Sequence, residues 1–398
     1  INELAEKLID IAAKRALNKA AVMPIPSTEW HEFCAAFPFQ ETVDQENAIN
    51  DVIADFQTGK PTDRLICGDV GFGKTEIALR AAFIAVKNLK QVAVIAPTTI
   101  LSSQHFKSFL LRFKKTEFKI GLLSRLASKR DMTTIKAGLK TGEINIVIGT
   151  QAVLDKSITF LDLGLVIIDE EQQFGVLDKE KLKNLGESIH VLSLTATPIP
   201  RTLQQAFTGL RSMSMIMTPP IDRVTTQTYS IEFDKIIIRE ALLREKNRGG
   251  QSFFIVPRIS DISEIQIFLE SFVPELSFVV AHGKMKSSNL ENNMNGFYKG
   301  QFDILLATTI AQSGLDIPSA NTIVIYNADY LGLAQLYQLR GRVGRSKTRS
   351  HAYFIVSSRE EISEAARKRL KVMSSLTDLG SGFLLASQDL DMRGAGNL

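Results

Sequence analysis

The segment at residues 68–75, which reads Gly-Asp-Val-Gly-Phe-Gly-Lys-Thr, constrains this chain more than any other. A short apolar run precedes it at residues 64–67, and a helical pattern follows it through residue 86. Glycines at this spacing let successive backbone N–H groups surround a phosphate without Cβ clashes, and the helix directs its positive end at the same anion. A strand, a phosphate-binding turn and a helix in this order predict an α/β domain. A chance glycine-rich turn is the alternative.

The same segment has the side chains that a nucleoside triphosphate and its metal ion require. Lys74 is placed to reach the β- and γ-phosphates, and the Thr75 hydroxyl is placed to bind Mg²⁺. The remaining candidates for nucleotide contact are Gly68, Asp69, Val70, Gly71, Phe72 and Gly73. ATP with Mg²⁺ is therefore the predicted ligand.

Short apolar runs alternate with helical stretches along most of the chain. In the first half each run ends at a Gly, Pro, Thr or Asp cluster, which is typical of a parallel sheet covered by helices on both faces. The predicted strands lie at residues 64–67, 92–95, 144–148, 165–168 and 191–194, and then at 253–256, 277–280, 304–307, 322–325 and 352–356. The pattern predicts two α/β domains in tandem.

Prolines and changes of periodicity divide the predicted domains. Apolar residues at three- and four-residue spacing predict a helix over residues 1–20, which Pro24 and Pro26 end. The Thr-Pro-Pro sequence at residues 218–220 is the best boundary between the two α/β domains. The predicted divisions are a linker helix at 1–25, a first domain at 26–220, a second domain at 221–357 and a helical segment at 358–398. Because the chain lacks an initiator Met and stops in a glycine-rich stretch, we expect it to be a fragment.

Composition excludes several classes of protein. Hydrophobic residues make up 44% and charged residues 23%, which suits a soluble globular chain and not a disordered one. Two cysteines cannot form a disulfide framework, so a reducing cytosol is expected, and no apolar run approaches the length of a membrane span. A net charge of +4 is too weak to prove a polyanionic partner, although it permits one.

Two carboxylates, Asp169 and Glu170, follow the apolar strand at residues 165–168. Carboxylates at the end of a buried strand are costly unless they meet a cation or a proton that has to move. Asp169 suits Mg²⁺ coordination, and Glu170 suits positioning and deprotonating an attacking water. A solvated acidic turn is the alternative reading of the pair taken alone.

An arginine-rich segment at residues 335–345 is the third candidate for chemistry, and it belongs to the second predicted domain. A nucleotide held by the first domain needs positive charge at the γ-phosphate in the transition state. Arg342 and Arg345, three residues apart, are expected to face one direction on a helix and to supply that charge. An arginine-rich face that meets solvent or nucleic acid is the alternative.

These three segments together resemble the superfamily 2 helicases and translocases, and the resemblance covers nearly the whole chain. It implies two RecA-like domains with ATP bound in the cleft between them. It also implies that Phe37 and Gln45 recognise the adenine base and that Gly314 and Asp316 contact the nucleotide. The catalytic residues that it implies are Lys74, Asp169, Glu170, Gln338, Arg342 and Arg345.

The resemblance further implies contacts with DNA from short motifs that occur in the superfamily's order. In this group small hydroxyl residues grip the nucleic-acid backbone and not the bases, which suits sequence-independent tracking. The implied DNA-binding residues are Pro97, Thr98, Thr99, Gly149, Thr150, Gln151, Thr308, Thr309 and Arg393. Exposed basic side chains could add to such a surface, although charge runs of this kind are more often solvated faces; the candidates are Arg112, Lys114, Lys115, Lys129 and Arg130.

Within the superfamily, the chain resembles the bacterial transcription-repair coupling factors most. The segments that carry this closer resemblance are residues 68–76, 332–338 and 389–396. The RecG helicases share the sequence at residues 197–203, but they usually have Ser in place of Phe72 and Pro in place of Ala395. The family usually carries His where this chain has Gln172, which puts the coupling of hydrolysis to movement in question.

The coupling-factor resemblance implies an ATP-dependent translocase on double-stranded DNA that displaces RNA polymerase stalled at lesions. It implies a bacterial cytoplasmic location and contacts with RNA polymerase and nucleotide excision repair proteins through regions outside this chain. It also implies that residues 358–398 begin a helical-hairpin translocation motif. Three alternatives stay open: a RecG-like fork-remodelling helicase, an ATP-gated DNA clamp without turnover, and a phosphate-loop metabolite kinase.

Overall fold

The computed structural model describes residues 17–124, 129–175, 178, 188–196, 211–220, 225–308, 317–344, 348–356 and 362–375. The chain divides after Pro220 into two compact units.

The first unit is built on a parallel sheet of seven strands. The strands are β1 (Asp63–Gly68), β2 (Gln91–Ile95), β3 (Ile120–Leu123), β4 (Ile146–Gly149), β5 (Leu163–Asp169), β6 (His190–Thr195) and β7 (Ser212–Ile216). Their order across the sheet is β3-β4-β2-β5-β6-β1-β7, and every neighbouring pair runs parallel. The central strands are buried throughout, because helices cover both faces of such a sheet.

Five helices of the first unit are described. They are α1 (Ser27–Ala35), α2 (Val43–Gln57), α3 (Lys74–Lys87), α4 (Thr99–Arg112) and α5 (Lys129–Thr141). Helix α3 has eleven consecutive buried residues, from Glu76 to Val86, since it packs between the sheet and its neighbouring helices. It therefore fixes the end of the glycine-rich segment at residues 68–75 to the centre of the unit.

The second unit has a parallel sheet of six strands. These are β8 (Gln227–Glu232), β9 (Gln251–Ile255), β10 (Phe278–Ala281), β11 (Ile304–Ala307), β12 (Ala320–Ile325) and β13 (His351–Val356), in the order β10-β11-β9-β12-β13-β8. Its described helices are α6 (Lys235–Asn247), α7 (Asp261–Phe272), α8 (Ser287–Tyr298), α9 (Leu333–Arg340) and α10 (Glu364–Ser375). One core cluster of this unit joins α6 and α7 to the sheet around Phe254, Ile265 and Leu306, all of them fully buried.

The predicted fold class, two parallel α/β sheets in tandem, is confirmed. The sequence pattern did not predict three strands, β3, β7 and β8, each of which lies at an edge of its sheet. Edge strands bury only part of their surface, so these segments are short or alternate polar with apolar residues and lack the continuous apolar run of a central strand.

The predicted linker helix at residues 1–25 is only partly described. Residues 1–16 lie outside the described ranges, and residues 18–26 form neither helix nor strand. This stretch is held against the end of α2, where the N–H of Ala20 donates to the carbonyl of Gly59 and that of Met23 to the carbonyl of Phe56, both at 3.0 Å. Of the predicted translocation segment at 358–398, the structure describes residues 362–375, which contain α10.

Candidate nucleotide-binding site

The glycine-rich segment forms the predicted turn between β1 and α3. Gly71 and Gly73 have φ angles of 80° and 79°, in the left-handed region that side chains with a Cβ rarely adopt. A Cβ at position 73 would also collide with the side-chain amide of Gln45. Between these glycines Phe72 is fully buried and anchors the turn to the core.

Lys74 lies on the first turn of α3 and folds back over the turn that precedes it. Its Nζ donates to the carbonyl oxygens of Gly68 and Asp69 at 2.5 and 2.9 Å. Thr75 follows it on the same helical turn and is half-buried. The amine, the hydroxyl and the positive end of α3 therefore lie together at the carboxyl end of β1, which suits a phosphate.

Gln45 is not open to an incoming base, as the sequence prediction would require, but is engaged with the turn itself. Its Nε2 donates to the carbonyl of Phe72 at 2.9 Å, and its Oε1 accepts from the backbone N–H of Thr42 at 3.0 Å. The Thr42 hydroxyl in turn accepts from the N–H of Gln45, which completes a capping box at the start of α2. The other predicted adenine contact, Phe37, packs edge-on against Phe39 with ring centroids 5.5 Å apart.

Asp169 is the last residue of β5, and its carboxylate is held by two donors. His105 on α4 places its Nε2 2.7 Å from Oδ2, and the backbone N–H of Glu170 donates to Oδ1 at 2.9 Å. Burial acts to raise the pKa of Asp169, but the hydrogen bond and charge of His105 and the charge of Lys74 together hold that pKa below its usual range. The carboxylate is therefore ionised at neutral pH and can bind a cation.

Glu170 adopts the left-handed conformation, with a φ of 50°, and its side chain is buried. The amide of Gln172 donates to its carboxylate, and the Thr195 hydroxyl donates to the Oε1 of Gln172 at 3.1 Å. Gln172 thus links Glu170 at the end of β5 to Thr195 at the end of β6. In the sequence, Gln172 stands out only as a departure from the family, and nothing near it predicts this connection.

These residues share one edge of the sheet because the carboxyl ends of parallel strands meet there. Asp169 pairs in register with Leu194, and Cys67 pairs with Thr195, so β1, β5 and β6 bring Gly68, Asp169 and Thr195 to the same edge. Ligands of open α/β sheets bind at this kind of edge.

The donor set of this edge fits ATP with Mg²⁺. The described residues contain no group of three or more His, Cys, Asp or Glu side chains that could hold a metal ion by themselves. Mg²⁺ does not need one, because it is typically bound by one or two protein oxygens together with phosphate oxygens and waters. Thr75 and Asp169 would supply the protein oxygens.

Two of the predicted DNA-contact segments end strands on the same sheet edge. Residues 97–99 follow β2, where the Thr98 hydroxyl accepts from the N–H of Leu101 and caps α4. Residues 149–151 follow β4, and a Cβ at Gly149 would collide with the carbonyl of Leu123, so only glycine fits there. In the second unit Thr308 follows β11 and is buried. Among the predicted site residues, Thr309, Gly314, Asp316, Arg345 and Arg393 lie outside the described ranges.

The arginine-rich segment differs from its prediction in one respect. Helix α9 ends at Arg340, so Arg342 lies in the turn that follows and not on a helical face. Gly341 ends the helix, with its N–H bonded to the carbonyl of Tyr337. Arg342 is buried, whereas Gln338 on the helix is half-buried.

One of the five basic candidates for a DNA surface is not exposed. Arg112 is nearly buried: its Nη2 donates to Glu76 at 2.9 Å, and its guanidinium lies 4.1 Å from the ring centroid of Phe33. Glu76 also accepts from Arg80 at 2.8 Å, and Arg80 pairs with Glu41. Arg112 is therefore part of a buried ion cluster and was wrongly grouped with the surface charges.

Sequence reasoning also missed His105 and Arg211. The Arg211 guanidinium is buried and bonds to Asp63, Ser193 and Glu171, so it fixes the acidic residue next to Glu170. Neither residue lies in a recognisable motif, and each meets partners far away in the chain. Only the helical spacing that places His105 on the buried side of α4 could have drawn attention to it.

Comparison with known proteins identifies the architecture. Residues 42–206 match the DEAD/DEAH box helicase family, and residues 234–347 match the helicase conserved C-terminal domain. The chain belongs to the superfamily 2 helicases.

This superfamily 2 core is similar over its whole length to transcription-repair coupling factors. It is 52% identical over 402 residues to that of Rickettsia bellii and 46% identical over 398 residues to that of Escherichia coli. Each alignment covers all of this chain but only 36% and 35% of the relatives, so the chain spans about a third of their length.

Solved structures show the same fold. RecG bound to a three-way DNA junction superposes with a TM-score of 0.82 at 33% identity, over 98% of this chain and 53% of RecG. S. cerevisiae Dbp5 bound to RNA and ADP BeF3 gives a TM-score of 0.65 at 18% identity, over 88% of this chain and 92% of Dbp5. No helix within the described ranges of the superfamily 2 core has both the length and the apolar content needed to cross a membrane.

Proposed function

We propose that this chain is the ATP-hydrolysing motor of a transcription-repair coupling factor and that it moves along double-stranded DNA. The observation that carries the proposal is the identity of 52% to a coupling factor across every part of the chain. The sheet edge that gathers the phosphate-binding turn, Asp169 and Glu170 supports the hydrolytic chemistry.

In this proposal the turn at residues 68–75 binds the phosphates of ATP through its backbone N–H groups and Lys74. Lys74 already lies over the turn, so a γ-phosphate would replace its two carbonyl acceptors. Thr75 and Asp169 would hold Mg²⁺, which supplies charge neutralisation between the β- and γ-phosphates when bound. Phe37 would stack on the base, and Gln45 would hold the turn in shape through its hydrogen bond to the carbonyl of Phe72.

Glu170 is proposed to orient the attacking water and to accept its proton. As the water oxygen bonds to the γ-phosphorus, the bond to the bridging oxygen breaks and ADP leaves, with phosphate as the second product. Gln172 and Thr195 hold the carboxylate of Glu170 in place for this step. Arg342 and Arg345 are proposed to stabilise charge on the transferred phosphoryl group.

The segments at residues 97–99, 149–151 and 308–309, with Arg393, are proposed to contact the DNA backbone. Segments 97–99 and 149–151 lie at the ends of β2 and β4, which are neighbours in the sheet. The two segments therefore lie along one sheet edge, as a continuous contact with the DNA backbone requires. In the whole protein the movement would displace stalled RNA polymerase and bring in excision repair proteins through regions beyond this chain. A bacterial cytoplasmic location belongs to the same proposal.

A RecG-like fork-remodelling helicase is the second candidate. The observation that favours it is the TM-score of 0.82 to RecG bound to a three-way DNA junction. Both functions use the same motor, so the difference lies in which DNA drives hydrolysis.

Steady-state ATP hydrolysis with no DNA, single-stranded DNA, linear duplex and forked DNA tests the proposal. Stimulation by linear duplex alone supports the duplex translocase, and triplex displacement then measures its movement. Equal or greater stimulation by forks or single strands favours the RecG-like helicase. ATP binding without turnover on any DNA would contradict both and support a binding clamp.

A further inference from the structure

His105 makes a buried contact with the metal-binding carboxylate that the proposed mechanism leaves unused. Its side chain is about 6% exposed, and its Nε2 lies 2.7 Å from Oδ2 of Asp169, 64 residues away in the chain. The two residues come from different elements, α4 and the end of β5.

The charge of the carboxylate determines the direction of this hydrogen bond. An ionised carboxylate only accepts hydrogen bonds, so the Nε2 of His105 is the donor. The second oxygen, Oδ1, accepts from the backbone N–H of Glu170 at 2.9 Å. Each oxygen of Asp169 is thus held by one donor and keeps further lone pairs for a cation. The rotation of the carboxylate is fixed from both sides before any ligand arrives.

We infer that His105 is a positioning residue that holds the carboxylate of Asp169 in the orientation needed to bind Mg²⁺ with ATP. The inference rests on the proposed function, since it concerns the same site. Partners that orient the ligands of a metal ion typically contribute 10- to 100-fold to metal affinity. His105 would act through Asp169 and would touch neither the metal ion nor the nucleotide.

The place of His105 in α4 adds a consequence for this role. The helix begins at Thr99 and is capped by Thr98, both predicted DNA contacts, and His105 lies about two turns further along the same element. The start of α4 and the carboxylate of Asp169 are therefore joined by one helix and one hydrogen bond.

Binding of Mn²⁺ in the presence of a non-hydrolysable ATP analogue, followed by electron paramagnetic resonance, tests the inference without relying on turnover. His105→Leu replaces the imidazole by an apolar side chain of similar size and removes the donor, whereas His105→Gln keeps a donor at a similar reach. We expect His105→Leu to weaken Mn²⁺ binding by about 10- to 100-fold and His105→Gln to recover most of the affinity. Affinity for the analogue in EDTA should stay unchanged in both variants.

Phe109→Leu is the matched control, because Phe109 is fully buried on the same helix and is not bonded to Asp169. Equal loss of Mn²⁺ affinity in this control, or no loss in His105→Leu, would overturn the inference. If His105→Leu does not fold, His105→Asn is tested in its place. The Asn side chain is one methylene shorter than that of Gln, so its amide should fall short of Asp169 and the same loss is expected. Failure of the unaltered chain to bind the analogue with Mn²⁺ would instead overturn the proposed function itself.

Discussion

The side-chain amide of Gln45 donates a hydrogen bond of 2.9 Å to the backbone carbonyl of Phe72, at the centre of the phosphate-binding turn. The same amide group caps α2 by accepting from the N–H of Thr42. One side chain therefore couples the start of a helix to the shape of the turn, so the two roles can be separated by mutation.

Gln45→Glu should weaken ATP binding as well as the fold. A carboxylate can still accept from Thr42, but it cannot donate to the buried carbonyl of Phe72, which costs about 1–3 kcal/mol when left without a partner. We expect a loss of roughly tenfold in ATP affinity, measured by titration with a fluorescent nucleotide. Thr42→Ala is the control: it removes the cap and lowers the unfolding free energy by about 1 kcal/mol while ATP affinity is kept. Equal ATP affinity in Gln45→Glu and the parent would disprove the coupling.

Lys74→Ala and Glu170→Gln should separate binding from turnover. Lys74 is proposed to supply the positive charge for the phosphates, so its loss should abolish ATP binding. Glu170→Gln keeps the shape of the side chain and removes only the proposed base. We expect Glu170→Gln to bind ATP like the parent and to release no phosphate, as measured by equilibrium binding and a phosphate-release assay. Retained binding in Lys74→Ala, or retained turnover in Glu170→Gln, would show that the roles are misassigned.

Glu76→Ala should destabilise the first unit strongly. The Glu76 carboxylate is buried and accepts from both Arg80 and Arg112, so its removal leaves two buried guanidinium groups without their shared partner. Breaking a buried ion pair in this way costs about 3–5 kcal/mol, measurable by urea unfolding. Glu143→Ala is the matched control, because Glu143 pairs with Lys119 on an exposed surface, and its removal should leave the unfolding midpoint unchanged. A small effect of Glu76→Ala would mean that water reaches the cluster.

His190 should make the fold sensitive to mild acid. Burial, the largest influence, lowers the pKa of His190 below its usual value of 6.5, although the hydrogen bond to Ala21 and the charge of Asp55 oppose this. Its Nδ1 contacts the Thr62 hydroxyl and its Nε2 the Ala21 carbonyl, at 2.8 and 3.1 Å, which fits a neutral ring. Below pH 6.5 the unfolded chain therefore binds a proton at His190 that the folded chain does not. The stability that the neutral ring contributes is fully present above pH 6.5 and is lost as the pH falls through the folded pKa.

Between about pH 7 and about pH 5.5, the unfolding free energy of His190→Gln should fall by less than that of the parent. This difference is expected even if the variant is less stable at neutral pH. Burial also lowers the pKa of His351 in the second unit, so the comparison must be between variant and parent and not within the parent's curve alone. Parallel pH profiles for the two proteins would show that His190 does not titrate on unfolding.

Leu89→Gly should stabilise the protein. Leu89 follows the end of α3 with a φ of 59° and is 87% exposed. Its side chain therefore makes few contacts that could offset the unfavourable backbone conformation. Relief of the left-handed strain, worth roughly 1–2 kcal/mol, exceeds the extra chain entropy of glycine, so a gain of up to about 1 kcal/mol is expected. Leu89→Ala keeps the Cβ and should give no gain in the same urea titration. Equal effects of the two substitutions would refute the strain argument.

The glycine-rich turn at residues 68–75 and the central strands could be predicted because their causes are local. The spacing of Gly71, Gly73 and Lys74 determines the turn, and a strand buried on both faces has to be continuously apolar. The edge strands β3, β7 and β8 lack this signature, so they could not be read from the sequence.

The contacts that tune the site could not be predicted, because they join distant parts of the chain. His105 reaches Asp169 across 64 residues, and Arg112 reaches Glu76 across 36. Arg112 sits in a basic stretch that suggests an exposed surface, but the register of α4 turns it inward onto Phe33. The helix end at Arg340 has, by contrast, a local cause that the sequence prediction overlooked, since Gly341 stops α9 before Arg342.

The parallel strands of the first unit bring the candidate nucleotide- and DNA-contact segments on this unit to the edge where the strands end. The loops that lead into the strands lie at the opposite edge, as at residues 88–90, where Leu89 projects into solvent. A fluorophore or a surface tether attached there would leave the nucleotide edge unobstructed. The fold thus offers an attachment point for single-molecule measurements on the immobilised chain.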